Sequence, residues 1–128
     1  MTVVQKEVVA VVDDDPAMRR ALKNFLSSFE YAVHVFDSAE AFLRTAAGSK
    51  ADCLVIDVQL PGISGIQLAR ELSKAGFTFP VIFMTAVDDD VIRRQAARVG
   101  CVAYLHKPFA SDLLIEAIVK ATGQNSMP

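Results

Sequence analysis

The side chains able to do chemistry in this sequence each close a short apolar run. Asp13 and Asp14 follow Val8-Val9-Ala10-Val11-Val12, Asp57 ends Leu54-Val55-Ile56, Thr85 ends Val81-Ile82-Phe83-Met84, and Lys107 follows Val102-Ala103-Tyr104-Leu105-His106. Three carboxylates brought together repel, so at least one is protonated unless a cation is present. Oxygen ligands without His or Cys suit a hard ion, and Mg2+ binds through a few carboxylates, waters and phosphate oxygens. A phosphoryl donor brings further negative charge, which Mg2+ and the Lys107 ammonium would neutralise. The Thr85 hydroxyl can donate to a phosphoryl oxygen. Asp57 is left as the nucleophile, forming an aspartyl phosphate.

Taken singly, each residue has a plainer role. Asp13 to Asp15 could be a solvated helix start, Asp57 a loop cap, Thr85 a strand residue and Lys107 a surface lysine. The plainer roles hold jointly only if four strand ends coincide by accident.

The elements that must position these groups are legible from periodicity. Val8–Val12 reads as a buried strand, followed by a helix with Met18, Ala21, Leu22, Phe25, Leu26 and Phe29 at helical spacing. Asp15 before Pro16 is a good helix start. Tyr31–Phe36 reads as a strand nearer the sheet edge. A second helix is capped by Asp37 or Ser38, with Glu40 in support, and stopped by Gly48. Cys53–Asp57 is the third strand, and Leu60-Pro61-Gly62-Ile63-Ser64-Gly65 leads into a helix to about Lys74, closed by Gly76. Val81–Thr85 is the fourth strand. Asp88–Val99 reads as a helix with Ile92, Ala96 and Val99 inward and Arg93, Arg94 and Arg98 outward, ended by Gly100. Val102–His106 is the fifth strand, and Ser111 caps the last helix, whose apolar face is Leu114, Ala117, Ile118 and Ala121. Strand and helix alternate, which predicts an α/β fold with a parallel sheet between helices. In such a sheet the strand ends point one way, where ligand sites form.

The bulk numbers fit one domain over residues 1–128, with a core at about 8–122 and a polar tail at 123–128. A chain of 128 residues, 52% hydrophobic and 22% charged, is globular. It is long enough to bury roughly 68% of its unfolded surface. A net charge of −2 gives no electrostatic footprint for nucleic acid. No apolar stretch is long enough for a membrane helix, and Met1–Glu7 lacks the apolar core of a signal peptide. Cys53 and Cys101 read as two reduced, buried thiols of a cytoplasmic protein. His34 and His106 have no metal-ligand neighbours in sequence and read as structural or surface residues.

Val12-Asp13-Asp14, Asp57 with Leu60-Pro61-Gly62 and Gly65, Met84-Thr85-Ala86, and Lys107-Pro108-Phe109, in this order and spacing, closely resemble the receiver domain of bacterial two-component response regulators. The resemblance covers roughly Val8 to Thr122. The acidic start and Lys107-Pro108-Phe109-Ala110-Ser111 are most similar to receivers fused to LuxR-like DNA-binding domains. The resemblance implies a flavodoxin-like (βα)5 sandwich with strand order 2-1-3-4-5. It implies that Asp57 is the phosphoacceptor, taking its phosphoryl group from a phosphohistidine of a sensor histidine kinase. Asp14, Asp57 and the backbone carbonyl of Gln59 are implied as Mg2+ ligands, Mn2+ being able to substitute, with Asp13 holding a metal-bound water. Lys107 is implied to contact the phosphoryl group, and its bond to Pro108 to be cis. Thr85 and Tyr104 are implied as the switch residues. About Asp88 to Thr122 is implied as the output surface, read by a downstream protein or a fused DNA-binding domain and available for homodimerisation on phosphorylation. Leu60 stands where many members carry methionine, an apolar swap of little consequence. Gln59 and Val87 match positions that steer the attacking water, and an apolar Val87 predicts an aspartyl phosphate that outlives seconds.

Three other readings compete. A receiver-like binding module that takes no phosphate would lack site residues, and here all are present. A haloacid-dehalogenase-type phosphatase needs a second Asp two residues after the nucleophile, where this chain has Gln59, so turnover of added substrates is not expected. Flavin or dinucleotide binding is weaker still, because the first strand-to-helix turn is Asp13-Asp14-Asp15-Pro16, acidic and without glycine.

Overall fold

In the computed structural model, which describes residues 5–87 and 89–123, the apolar runs become five parallel strands with helices between them. In chain order these are β1 (Val8–Val12), α1 (Pro16–Ser28), β2 (Ala32–Phe36), α2 (Ala39–Thr45), a 3₁₀ turn (Ala46–Gly48), β3 (Cys53–Asp57), α3 (Gly65–Lys74), β4 (Val81–Thr85), α4 (Asp90–Val99), β5 (Ala103–His106) and α5 (Ser111–Thr122). The sheet order is β2-β1-β3-β4-β5, with every pairing parallel. This is the expected architecture.

The burial pattern explains the order. β3 and β4 are buried at every position, as continuous apolar runs with helices on both faces must be. β2, at one edge, exposes His34. Side chains alternate across the sheet and build two cores. Phe42, Leu54, Ile56, Leu68, Leu72 and Phe83 lie on the α2-α3-α4 side. Leu22, Leu26, Val55, Ile82, Met84, Leu114 and Ile118 lie on the α1-α5 side. Residues facing opposite ways along one strand, such as Val55 and Ile56, therefore anchor different layers.

Several boundaries differ from the sequence reading, each for a local reason. α4 begins at Asp90, because Asp89 is its cap and accepts from the Val91 and Ile92 amides; Asp88 lies outside the described residues. Of the two expected cap candidates for α2, Ser38 is the one used, its Oγ accepting from Ala41 N at 3.0 Å. Glu40 does not fold back to complete that cap; its carboxylate accepts instead from Ile63 N. Ser111 is the first residue of α5 rather than its cap, a position held by Ala110 with no side-chain hydrogen bond. Tyr31 and Val102 fall just outside β2 and β5. Both cysteines are free, Cys53 buried and Cys101 only half-buried. His34 and His106 are both exposed. Residues 124–128 of the polar tail lie outside the described residues. Among the described residues no helix is long and apolar enough to cross a membrane.

Candidate functional site

β1 and β3 are neighbours in register, with Val12 opposite Ile56. The residues that follow, Asp13 and Asp57, therefore leave the sheet side by side at its C-terminal edge. Both are buried, at 0% and 6% exposure. A buried carboxylate must be satisfied, and each of the four oxygens here accepts a hydrogen bond. Asp13 Oδ1 accepts from Asp15 N at 2.9 Å. Asp57 Oδ1 accepts from Gln59 N at 2.9 Å. The two Oδ2 atoms share one donor: Lys107 Nζ lies 3.0 Å from Asp13 Oδ2 and 3.0 Å from Asp57 Oδ2.

Lys107 arrives from the far side of the sheet. Its backbone N–H donates to Thr85 O at 2.7 Å, which extends the β4–β5 pairing beyond His106. The Lys107-Pro108 bond is cis, as expected from the resemblance. Asp14 is exposed at the rim. Asp13, Asp14 and Asp57 each offer an oxygen within 4.8 Å of the others, a grouping able to hold a metal ion. With one ammonium among three carboxylates, two negative charges are left uncompensated when all three are ionised. A hard divalent cation with oxygen preference matches that deficit. Asp14 and Gln59 line an open cavity of about 530 Å³ beside the cluster, together with Ser64 and Gln95.

Burial pushes the Asp57 carboxyl above the usual carboxylate range; the Gln59 N–H and the Lys107 ammonium oppose that shift, and Asp13 adds to it. Burial alone would lower the Lys107 ammonium, but its contacts with Asp57 and Asp13 reverse this and raise it. The site thus keeps the Lys107 ammonium charged between the two carboxylates.

The structure brings together Asp13, Asp14, Asp57, Gln59 and Lys107. It does not bring the Thr85 hydroxyl into that network. Thr85 is fully buried, and its Oγ1 accepts from Val87 N at 3.1 Å and donates to Val87 O at 3.4 Å. Tyr104 sits opposite Phe83 in the β4–β5 register, packs against the α2-α3-α4 core and buries its hydroxyl. The Arg93 guanidinium from α4 covers its ring, 5.2 Å from the centroid.

Sequence reasoning missed two contributors and undervalued a third. Arg19 Nη1 donates to Asp13 O at 2.9 Å, steadying the β1 end from α1. Nothing in the sequence marks so long a reach. Glu40 has the spacing of a local cap residue, yet its carboxylate accepts from the β3–α3 loop. Gly65 lies so close to β3 that a Cβ there would collide with the Asp57 backbone carbonyl, which gives the motif glycine a steric reason.

Residues 9–119 match the family model of the response regulator receiver domain. Nodulation protein W of Bradyrhizobium diazoefficiens is 39% identical over 117 residues, covering 91% of this chain and 52% of that protein. Transcriptional regulatory protein FixJ of the same organism is 38% identical over 116 residues, covering 91% of this chain and 57% of that protein. The chain spans about half the length of these curated relatives. The crystal structure of FixJ-N superposes with a TM-score of 0.87 at 33% identity, covering 98% of this chain and 100% of that one. A response regulator receiver protein from Burkholderia phymatum superposes with a TM-score of 0.80 at 40% identity, covering 92% and 96%.

Proposed function

Because the chain belongs to the response regulator receiver domain family, we propose that Asp57 accepts a phosphoryl group from a phosphohistidine of a sensor histidine kinase and that the domain, one unit over about residues 8–122, switches its output surface in response. The observation that carries this reading is the single ammonium of Lys107 bridging the buried Asp13 and Asp57 carboxylates at 3.0 Å each.

In the transfer, an Asp57 carboxylate oxygen forms a bond to phosphorus while the phosphorus–nitrogen bond of the donor breaks and the imidazole departs. Asp14, Asp57 and the Gln59 carbonyl would hold Mg2+ directly, or Mn2+ in its place, and Asp13 would hold a metal-bound water. The ion, when bound, supplies positive charge to the phosphoryl oxygens. The Lys107 ammonium, already poised between two carboxylates, turns to a phosphoryl oxygen. The domain acts on its own phosphorylation and hydrolysis and turns over no other substrate. Val87, apolar beside the site, slows attack by water, so the aspartyl phosphate outlives seconds.

The same geometry supports a route outward. Thr85 can donate to a phosphoryl oxygen only by giving up its donation to Val87 O. That frees the segment leading into α4. α4 buries only Ala96, so its position responds at low cost, and Tyr104 lies beneath Arg93 of the same helix. The surface of α4, β5 and α5 then presents itself to a downstream protein, a DNA-binding domain on the same polypeptide, or a second copy of the chain. The named function of the relative FixJ, transcriptional regulation, supports the second of these. This domain itself touches no nucleic acid, and the setting is cytoplasmic.

The test is phosphorylation by a small phosphoryl donor with Mg2+. Wild type should gain a base-labile phosphate, read by intact mass, and Asp57→Asn should gain none. Equal labelling of Asp57→Asn would overturn the assignment. A beryllofluoride titration gives the parallel answer by amide shifts: a response in wild type and none in the variant.

A further inference from the structure

Glu40 stands in the first turn of α2, where Ser38 already satisfies the helix start. Its carboxylate is therefore available to another element. Oε2 accepts from Ile63 N at 3.2 Å. The same oxygen lies 2.6 Å from where a Cβ on Gly62 would be, and Gly62 has a φ of +74°. The carboxylate is thus seated in the crook of the β3–α3 loop, against a backbone bare of side chain. That loop starts at the phosphoacceptor strand. Val58 N donates to Met84 O at 2.9 Å, Gln59 N donates to Asp57 Oδ1 at 2.9 Å, and Gly65 N closes back on Val58 O at 2.9 Å. Glu40 is the tie that reaches the middle of the loop from a separate element.

We propose that Glu40 is a positioning residue for the metal centre: by holding Gly62 and Ile63 it fixes the loop that presents the Gln59 carbonyl, and so sets the Mg2+ affinity of the domain. This deepens the function proposed above and rests on that reading of the metal ligands. A carbonyl ligand has no rotamer of its own; its aim is the aim of its loop. Partners that orient metal ligands from outside commonly contribute about ten- to a hundredfold in metal affinity. The charge of Glu40 is not what the loop needs. An amide oxygen can accept from Ile63 N equally well.

The experiment is a Mg2+ titration of the unphosphorylated full chain, by calorimetry and by the amide shifts of Gln59 and Ile63. Glu40→Ala is expected to weaken Mg2+ about tenfold, and Glu40→Gln to recover most of that loss. Gly62→Ala, whose Cβ would displace the Glu40 carboxylate, is expected to weaken Mg2+ as Glu40→Ala does, and to add little in the Glu40→Ala background. Phosphorylation by a small donor should slow at limiting Mg2+ and return to the wild-type rate at saturation, a split that loss of fold stability does not produce. If Glu40→Ala unfolds, Gly62→Ala and Glu40→Gln carry the same comparison. Wild-type Mg2+ affinity in Glu40→Ala, or in Gly62→Ala when that stands in for it, overturns the proposal while leaving the metal reading intact. Absence of Mg2+ binding by wild type overturns that reading, and this proposal with it.

Discussion

α3 and α4 are each ten residues long and lie against the same core, yet α3 buries Gly65, Ile66, Leu68, Ala69 and Leu72 while α4 buries only Ala96. The strands beneath them differ likewise: β3 is buried throughout, and β5 is not fully buried at any position. α3 follows the strand that carries Asp57. Its first residue, Gly65, lies against the Asp57 backbone, and the helix is packed as core. α4 follows Thr85 and borders Tyr104, and it is held by few apolar contacts. Low burial is the mark of elements that open or shift at small free-energy cost. The difference teaches that the helix packed on Asp57 and the helix beside Tyr104 are built to different standards: one fixes atoms, the other is left able to move.

The two cysteines offer the largest expected contrast. Cys53 lies in β3 at 0% exposure, whereas Cys101 is half-buried in the link from α4 to β5. Burial pushes the Cys53 thiol up to about 12, and burial also raises Cys101. Labelling of Cys53 requires global opening, which costs about 5–15 kcal/mol in typical domains, while Cys101 needs only local opening. Native-state alkylation read by peptide mass should modify Cys101 faster by at least about two orders of magnitude. Equal rates would break the comparison. The Cys53 shift has a pH consequence with a definite sign. The unfolded thiol ionises from about pH 8.5, the folded one only near 12. In that window the folded state binds more protons, so stability falls as pH rises. In Cys53→Ala this fall should be shallower, measured by urea unfolding across the window.

Smaller effects should follow from truncating the two helices. Leu68 in α3 is fully buried, and Leu68→Ala should cost about 2–5 kcal/mol. Ile92 in α4 packs against the same core from a partly exposed position, and Ile92→Ala should cost about 1 kcal/mol. Urea midpoints at constant slope measure both. Similar losses at the two positions would mean that α4 is core after all.

The contrast also marks what was legible in the sequence. Continuous apolar runs announced β3 and β4, because burial on both faces leaves no other pattern; the carboxylate ending β3 falls in the candidate cluster, whereas Thr85, ending β4, bonds Val87 instead. The parallel alternation then brought Asp13, Asp57 and Lys107 to one edge. Asp88, Asp89 and Asp90 could each start α4, and only φ/ψ at Asp89 decides among them. Glu40 fits a local capping rule, but a side chain that can serve its own helix can also serve a loop 23 residues on. Arg19 was invisible for the same reason. Which hydroxyl partner Thr85 takes is a rotamer, set by Val87 in the folded loop, and no spacing encodes it.

The smallest expected effect bears most directly on the reporter. The Arg93 guanidinium lies over the Tyr104 ring, and a cation–π contact at an exposed site contributes about 0.5–1 kcal/mol. Arg93→Ala should therefore lower stability by less than about 1 kcal/mol, close to the limit of detection by unfolding. Its effect on Tyr104 should be plainer. The chain has two tyrosines and no tryptophan, so in a Tyr31→Phe background the intrinsic fluorescence reports Tyr104 alone. Removing the guanidinium uncovers one face of the ring, and quenching by acrylamide should rise, with Arg93→Lys in between because its ammonium lacks the planar stack. If quenching is unchanged, Tyr104 is held by the sheet and not by α4, and the helix cannot pass its movement to β5 through this residue. If quenching rises while stability barely falls, α4 covers Tyr104 at little energetic cost, as the proposed route from Thr85 to the output surface requires.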